Sequence, residues 1–125
     1  VKCQANSASH IPTFMMEAAR VALDCDDHVE QFSDAYRHRR NLMVQGLEDI
    51  PGLRIVNPEG AFYLFIDVTG TGMSDVQFAD GALKAGVQLI PASLITGGEG
   101  FIRVSYAASE EDIKEGISRL RSWLL

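Results

Sequence analysis

The chain has 125 residues, 46% hydrophobic and 22% charged, which is enough for one globular core and not obviously for two. A net charge of −6 and the lack of a dense Lys/Arg cluster argue against a nucleic-acid-binding face. No apolar run reaches membrane-spanning length, no signal-peptide layout is present, and two cysteines at no metal or redox spacing suit a reducing, cytoplasmic setting rather than a disulfide scaffold.

Val1 to His10 is polar and rich in small residues, and reads as a loop or linker. The chain opens on Val1 in mid-stride, as a piece of something longer or a trimmed product does. Ile11-Pro12-Thr13 starts a first helix, with Pro12 near the turn where a missing N–H does no harm. It runs to about Leu23, and Phe14, Met15, Ala18, Ala19, Ala22 and Leu23 form its apolar stripe. A second, longer helix begins near Asp26 or Asp27, where acidic residues suit the positive end of the helix dipole. Val29, Phe32, Tyr36, Met43, Leu47 and Ile50 recur on one face, and Pro51-Gly52 stops it. The basic run Arg37-His38-Arg39-Arg40 lies in this helix and reads as a solvated face.

Leu53 to Val56 is a short strand and Asn57-Pro58-Glu59-Gly60 a tight reversal. Ala61 to Val68, reading AFYLFIDV, is the strongest strand. Its aromatic and β-branched residues on both faces predict a central strand buried on two sides, paired as a hairpin with the first. Ser74 and Gln77 have capping-box spacing and open a helix through about Lys84. Val87 to Ile90 is a strand, Pro91 to Gly100 a loop, and Phe101 to Tyr106 the last strand. Ser109 caps a final helix whose first turn holds Glu110, Glu111 and Asp112. Helix, helix, strand, strand, helix, strand, strand, helix predicts an α+β fold: a small, mostly antiparallel or mixed sheet with helices on one face.

Little of the usual catalytic chemistry is legible. His10, His28 and His38 are scattered, and no metal site is expected. Asp24, Asp26 and Asp27 read as a helix cap, without the glycine and glutamate of a calcium loop. The glycines before Phe101 lead into a strand and lack a P-loop lysine. Lys84 and Lys114 sit on amphipathic helices. The informative stretch is GGEGFIRVSYA, Gly97 to Ala107. Strand alternation puts Phe101, Arg103 and Ser105 on one face and Ile102, Val104 and Tyr106 on the other. A guanidinium among apolar neighbours needs an anion, and its planar donors fit a carboxylate bidentately. Arg103 therefore either holds a substrate carboxylate, pairs with an internal Asp or Glu, or snorkels from an edge strand.

Three stretches carry a family. RHRRNLMVQGLEDIPGLRIVNPEGAFYLFIDV, then AGVQLIPAS, then GEGFIRVSYAASEEDIKEGISRLRSWL resembles the C-terminal part of class I/II aminotransferases, the aspartate-aminotransferase-like pyridoxal-phosphate enzymes of fold type I. The resemblance implies residues 1–25 as a linker and helix leading in from a cofactor domain, and residues 26–125 as the small C-terminal domain. It implies that Arg103 binds the α-carboxylate, that the segment Glu59 to Tyr63 lies close to the substrate side of the interdomain cleft, and that Gly60 and Phe62 in it bind substrate. The Ser7–Thr13 region resembles a segment that, in the dimer, approaches the neighbouring active site. The cofactor lysine and the other pyridoxal-phosphate contacts lie upstream in relatives. No cofactor is expected on this chain and, taken alone, it should be inactive. The intact enzyme is expected to be a homodimer acting on an amino acid and a 2-oxo acid. Relatives often read PGSxFG where this chain has PASLITGGEG, with Ala92 in place of a glycine, and Glu17 stands where a Gln is usual. A related pyridoxal-phosphate lyase or synthase, an aminotransferase-like regulator and a non-catalytic interaction module remain open at this point.

Overall fold

A computed structural model describes residues 11–125. The readings placed on Val1 to His10, including Cys3, His10 and most of the Ser7–Thr13 segment, lie outside the described residues. The helices are α1 (Thr13–Ala22), α2 (Asp26–Leu47), α3 (Asp75–Lys84) and α4 (Glu110–Leu124). The strands are β1 (Arg54–Ile55), β2 (Tyr63–Asp67), β3 (Ile90–Pro91) and β4 (Phe101–Ser105), with short 3-10 turns at Thr69–Thr71 and Ala92–Leu94. Order and types match the α+β expectation.

The chain divides into two units between Asp34 and Ala35, inside α2. In the first, α1 buries none of its residues, and Phe14, Met15, Met16, Val29 and Phe32 stand exposed. The apolar stripe read from the sequence is present, but nothing among the described residues covers it.

The second unit holds the sheet, ordered β1-β2-β4-β3 and antiparallel throughout. The expected β1–β2 hairpin forms, pairing Arg54 with Asp67 and Ile55 with Ile66. Leu64 and Ile66 of β2 and Ile102 and Val104 of β4 join a core with Met43 and Leu47 of α2, Phe78 and Ala82 of α3, and Ile113, Ile117 and Leu120 of α4. Local chemistry sets the helix starts. Ser74 and Gln77 form a reciprocal capping box, and the Ser109 hydroxyl accepts from the Asp112 N–H.

Four expectations need correction. First, β2 is central but not buried on both faces. The helices seal only the Leu64/Ile66 side, leaving Phe65 42% exposed and Tyr63 half-buried. Second, Asn57 to Gly60 is not a tight reversal, because the chain runs through an open loop over residues 56–62 that long-range hydrogen bonds hold. Third, β3 lies at Ile90–Pro91 rather than Val87 to Ile90, since only there does it meet β4. Fourth, α2 ends at Leu47, and Ile50 is buried from the turn that follows.

The seam between α3 and α4 depends on a small residue. A Cβ on Gly81 would lie 2.1 Å from the Trp123 ring, whereas one on Gly116 would meet nothing within 4 Å. Alanine gains about 1 kcal/mol over glycine inside a helix, but overpacking costs about 1–3 kcal/mol. Gly81→Ala is therefore expected to lower the melting temperature by up to about 8 °C, the net of the two effects, and Gly116→Ala to raise it by about 4 °C. Thermal melts followed by circular dichroism compare the two. Equal effects from both would mean that the Trp123 contact is not limiting.

Candidate functional site

The sheet face that the helices leave uncovered carries the candidate site. Along β4 the predicted alternation holds. Ile102, Val104 and Tyr106 are buried, while Phe101 and Ser105 are exposed and Arg103 is half-buried. β4 lies between β2 and β3, and register places Arg103 between Phe65 and Ile90. Arg103 is therefore on a central strand, which removes the edge-strand reading. It lines a recess of about 130 Å³ with Tyr63, Gln88, Ile90 and Ser105. Its guanidinium carbon lies over the Tyr63 ring, 4.4 Å from the centroid.

Among the described residues Arg103 makes no ion pair or hydrogen bond. The ten residues before them contain no Asp or Glu. Asp67 is the only carboxylate borne by the strands, and it is already committed. It accepts from Arg54 Nε at 3.1 Å and Nη2 at 2.7 Å, and from the Thr69 backbone N–H at 3.0 Å and hydroxyl at 2.6 Å. The Thr69 hydroxyl, then its N–H, and Arg54 hold the Asp67 carboxyl below the usual carboxylate range, against the opposing effect of burial.

The loop before β2 is fixed from a distance. Ala61 takes a φ of +59°, a left-handed conformation that costs a non-glycine residue about 1–2 kcal/mol. Tyr106, buried at the end of β4, secures it twice. Its hydroxyl donates to the Ala61 carbonyl at 2.9 Å and its backbone N–H to the Phe62 carbonyl at 3.0 Å. Arg40 donates to the Pro58 carbonyl at 3.1 Å. Burial raises the Tyr106 pKa, against an opposing effect of Arg40, so the phenol remains a donor at neutral pH. Gly60 is exposed and Phe62 is 39% exposed. Neither lines the recess, and Phe62 reaches it only through Tyr63, ring against ring at 4.4 Å.

Tyr63, Gln88 and Ile90 were not singled out from the sequence as site residues. The parity of β2 could have indicated Tyr63, because it pairs with Ser105 on the Arg103 face. The loop after β3 is anchored at its start. Asp75, buried at the N-terminus of α3, accepts from the Ser93 N–H at 3.0 Å. The nearby Ser93 hydroxyl and that N–H hold its carboxyl below the ordinary range. Ala92 is buried, and its φ is not positive, so the methyl that replaces the relatives' glycine is accommodated. Lys84 is exposed on α3, and Lys114 is exposed 3.8 Å from Glu110, so neither faces the recess. Among the described residues no group of His, Cys, Asp or Glu could hold a metal ion.

Residues 1–120 match the family described as aminotransferase class I and II. An aspartate aminotransferase of Pyrococcus horikoshii is 35% identical over 98% of this chain and 33% of its own length. A probable aspartate/prephenate aminotransferase of Aquifex aeolicus is 39% identical over 94% of this chain and 32% of its own. Among solved structures, an aromatic aminotransferase from Pyrococcus horikoshii superposes with a TM-score of 0.88 at 35% identity, over 97% of this chain and 33% of that one. The chain thus spans about a third of the length of the curated relatives it matches.

The lowered pKa of Asp67 has a stability consequence. The carboxyl binds its proton less readily folded than unfolded, so its contribution is complete above the unfolded value, about 4, and is lost as pH falls through the lower folded value. The melting temperature is expected to fall on acidification below about pH 4, and less steeply in Asp67→Asn than in the parent. Parallel melts from neutral to acid pH test this, and identical slopes would remove Asp67 from the account.

Proposed function

The chain belongs to the aminotransferase class I and II family, and we propose that it is the C-terminal, substrate-binding part of an enzyme moving an amino group between an amino acid and a 2-oxo acid. The observation that carries this reading is Arg103: a half-buried guanidinium in a small recess on an uncovered sheet face, without an acid of its own among the described residues. In this reading residues 1–25 lead in from the cofactor part and residues 26–125 are the small domain. The intact enzyme is a cytoplasmic homodimer. No described helix is long and apolar enough to cross a membrane.

Arg103 grips the α-carboxylate through two parallel N–H···O bonds, which fixes both the position and the plane of the substrate. Ser105 and Gln88 border the same recess and limit what can stand beside the carboxylate. Phe65 and Phe101, exposed on the same face, exclude water when another part of the protein closes over them. Gly60 and Phe62 belong to the loop wall and not to the recess floor. Pyridoxal phosphate supplies the amino-carrying chemistry in this family. The described residues do not fit it: both described lysines face solvent away from the recess. Its binding groups are assigned to the part of the intact protein outside this chain.

Truncating one partner of a desolvated ion pair costs about 2–5 kcal/mol, or about 30-fold and upward in affinity. In the intact enzyme, Arg103→Ala is expected to lower kcat/KM by about 100-fold or more, largely through KM, with Arg103→Lys intermediate because it loses the bidentate fit. The 125-residue chain mixed with pyridoxal phosphate is expected to show no transamination and no new visible absorbance. An Arg103→Ala enzyme within twofold of the parent would contradict the proposal.

A further inference from the structure

Among the described residues Arg103 has no carboxylate to orient it, and a strand arginine free to rotate would lose side-chain entropy on binding. Something else must hold it. The Tyr63 ring lies under the guanidinium carbon at 4.4 Å, in the range where a ring face attracts a cation. A ring contact made through the guanidinium face leaves the in-plane N–H donors available to an incoming carboxylate, whereas an internal Asp or Glu would occupy them.

The ring is itself braced. Tyr63 packs against Phe62 at 4.4 Å, Phe62 against Tyr36 at 6.1 Å, and Tyr36 against the buried Tyr106 at 6.4 Å. Tyr106 fixes the backbone of the same loop through Ala61 and Phe62. A continuous series of rings therefore runs from the core to the underside of the guanidinium. We propose that Tyr63 is a positioning residue that pre-orients Arg103 for a carboxylate through its ring face, not its hydroxyl. This rests on the reading of Arg103 as the carboxylate site.

The test uses the intact enzyme with a neutral amino acid that it transaminates and, in parallel, the α-amide of that amino acid, which has no carboxylate. Tyr63→Phe keeps the ring and is expected to hold KM for the amino acid within twofold of the parent. Tyr63→Leu is expected to raise it about 5- to 10-fold, the range a partly desolvated cation–ring contact supports. With the amide, all three enzymes are expected to behave alike. Should Tyr63→Leu not fold, mono-, di- and trifluorophenylalanine at position 63 keep the shape while draining the ring face, and KM should climb with each fluorine. Two results overturn the proposal: a Tyr63→Leu or fluorinated series that leaves KM flat while Arg103→Ala raises it, or a Tyr63→Phe enzyme as weak as Tyr63→Leu. If Arg103→Ala itself leaves KM unchanged, the carboxylate reading falls, and the role of Tyr63 with it.

Discussion

A positive charge that cannot be titrated away, set in a strand with no carboxylate among the described residues to meet it, is the constraint around which this sheet is arranged. Inside a protein such a charge is costly unless solvent, an anion or a polarisable surface compensates it. Here the Tyr63 ring supplies part of that compensation and the opening of the recess the rest. The one strand acid, Asp67, is committed elsewhere by its own four hydrogen bonds to Arg54 and Thr69. That prior commitment leaves Arg103 available.

The opposite face of the same strand does the structural work. Ile102 and Val104 seal β4 into the core, and Tyr106 continues the pattern into the loop before β2. One short segment thus joins core packing, a strained backbone at Ala61 and the half-buried cation. Its neighbours are ordered by the core on one side and left open on the other. Phe65 and Phe101 remain as apolar surface that the chain's own helices do not reach. In the proposed reading, that surface is where another part of the intact protein closes.

Much of this was legible in the residues and some of it was not. Alternation in FIRVS reports faces directly, because β-branched and aromatic side chains sort by burial along a strand. Ser74 with Gln77, and Ser109 before three acids, announce helix starts by local chemistry. The second face of β2 was misread because Tyr63 and Phe65 look alike whether the chain's own helices or a different surface will cover them. Asn57 to Gly60 has the composition of a tight turn, yet its path is set by Tyr106 and Arg40, both far away in sequence. That Arg103 lacks an acid among the described residues could not be read either, since it depends on which cation reaches Asp67. Neither Gly60 nor Phe62 lines the recess, whereas Tyr63, next to them in the same motif, does.

The most direct measurement is a crystal structure of the intact protein with a bound 2-oxo acid or amino-acid analogue. The account predicts a carboxylate on Arg103 through two N–H···O bonds of about 2.8 Å, with the guanidinium still over the Tyr63 ring. A carboxylate bound elsewhere, with Arg103 turned onto an acidic side chain of its own domain, would contradict it.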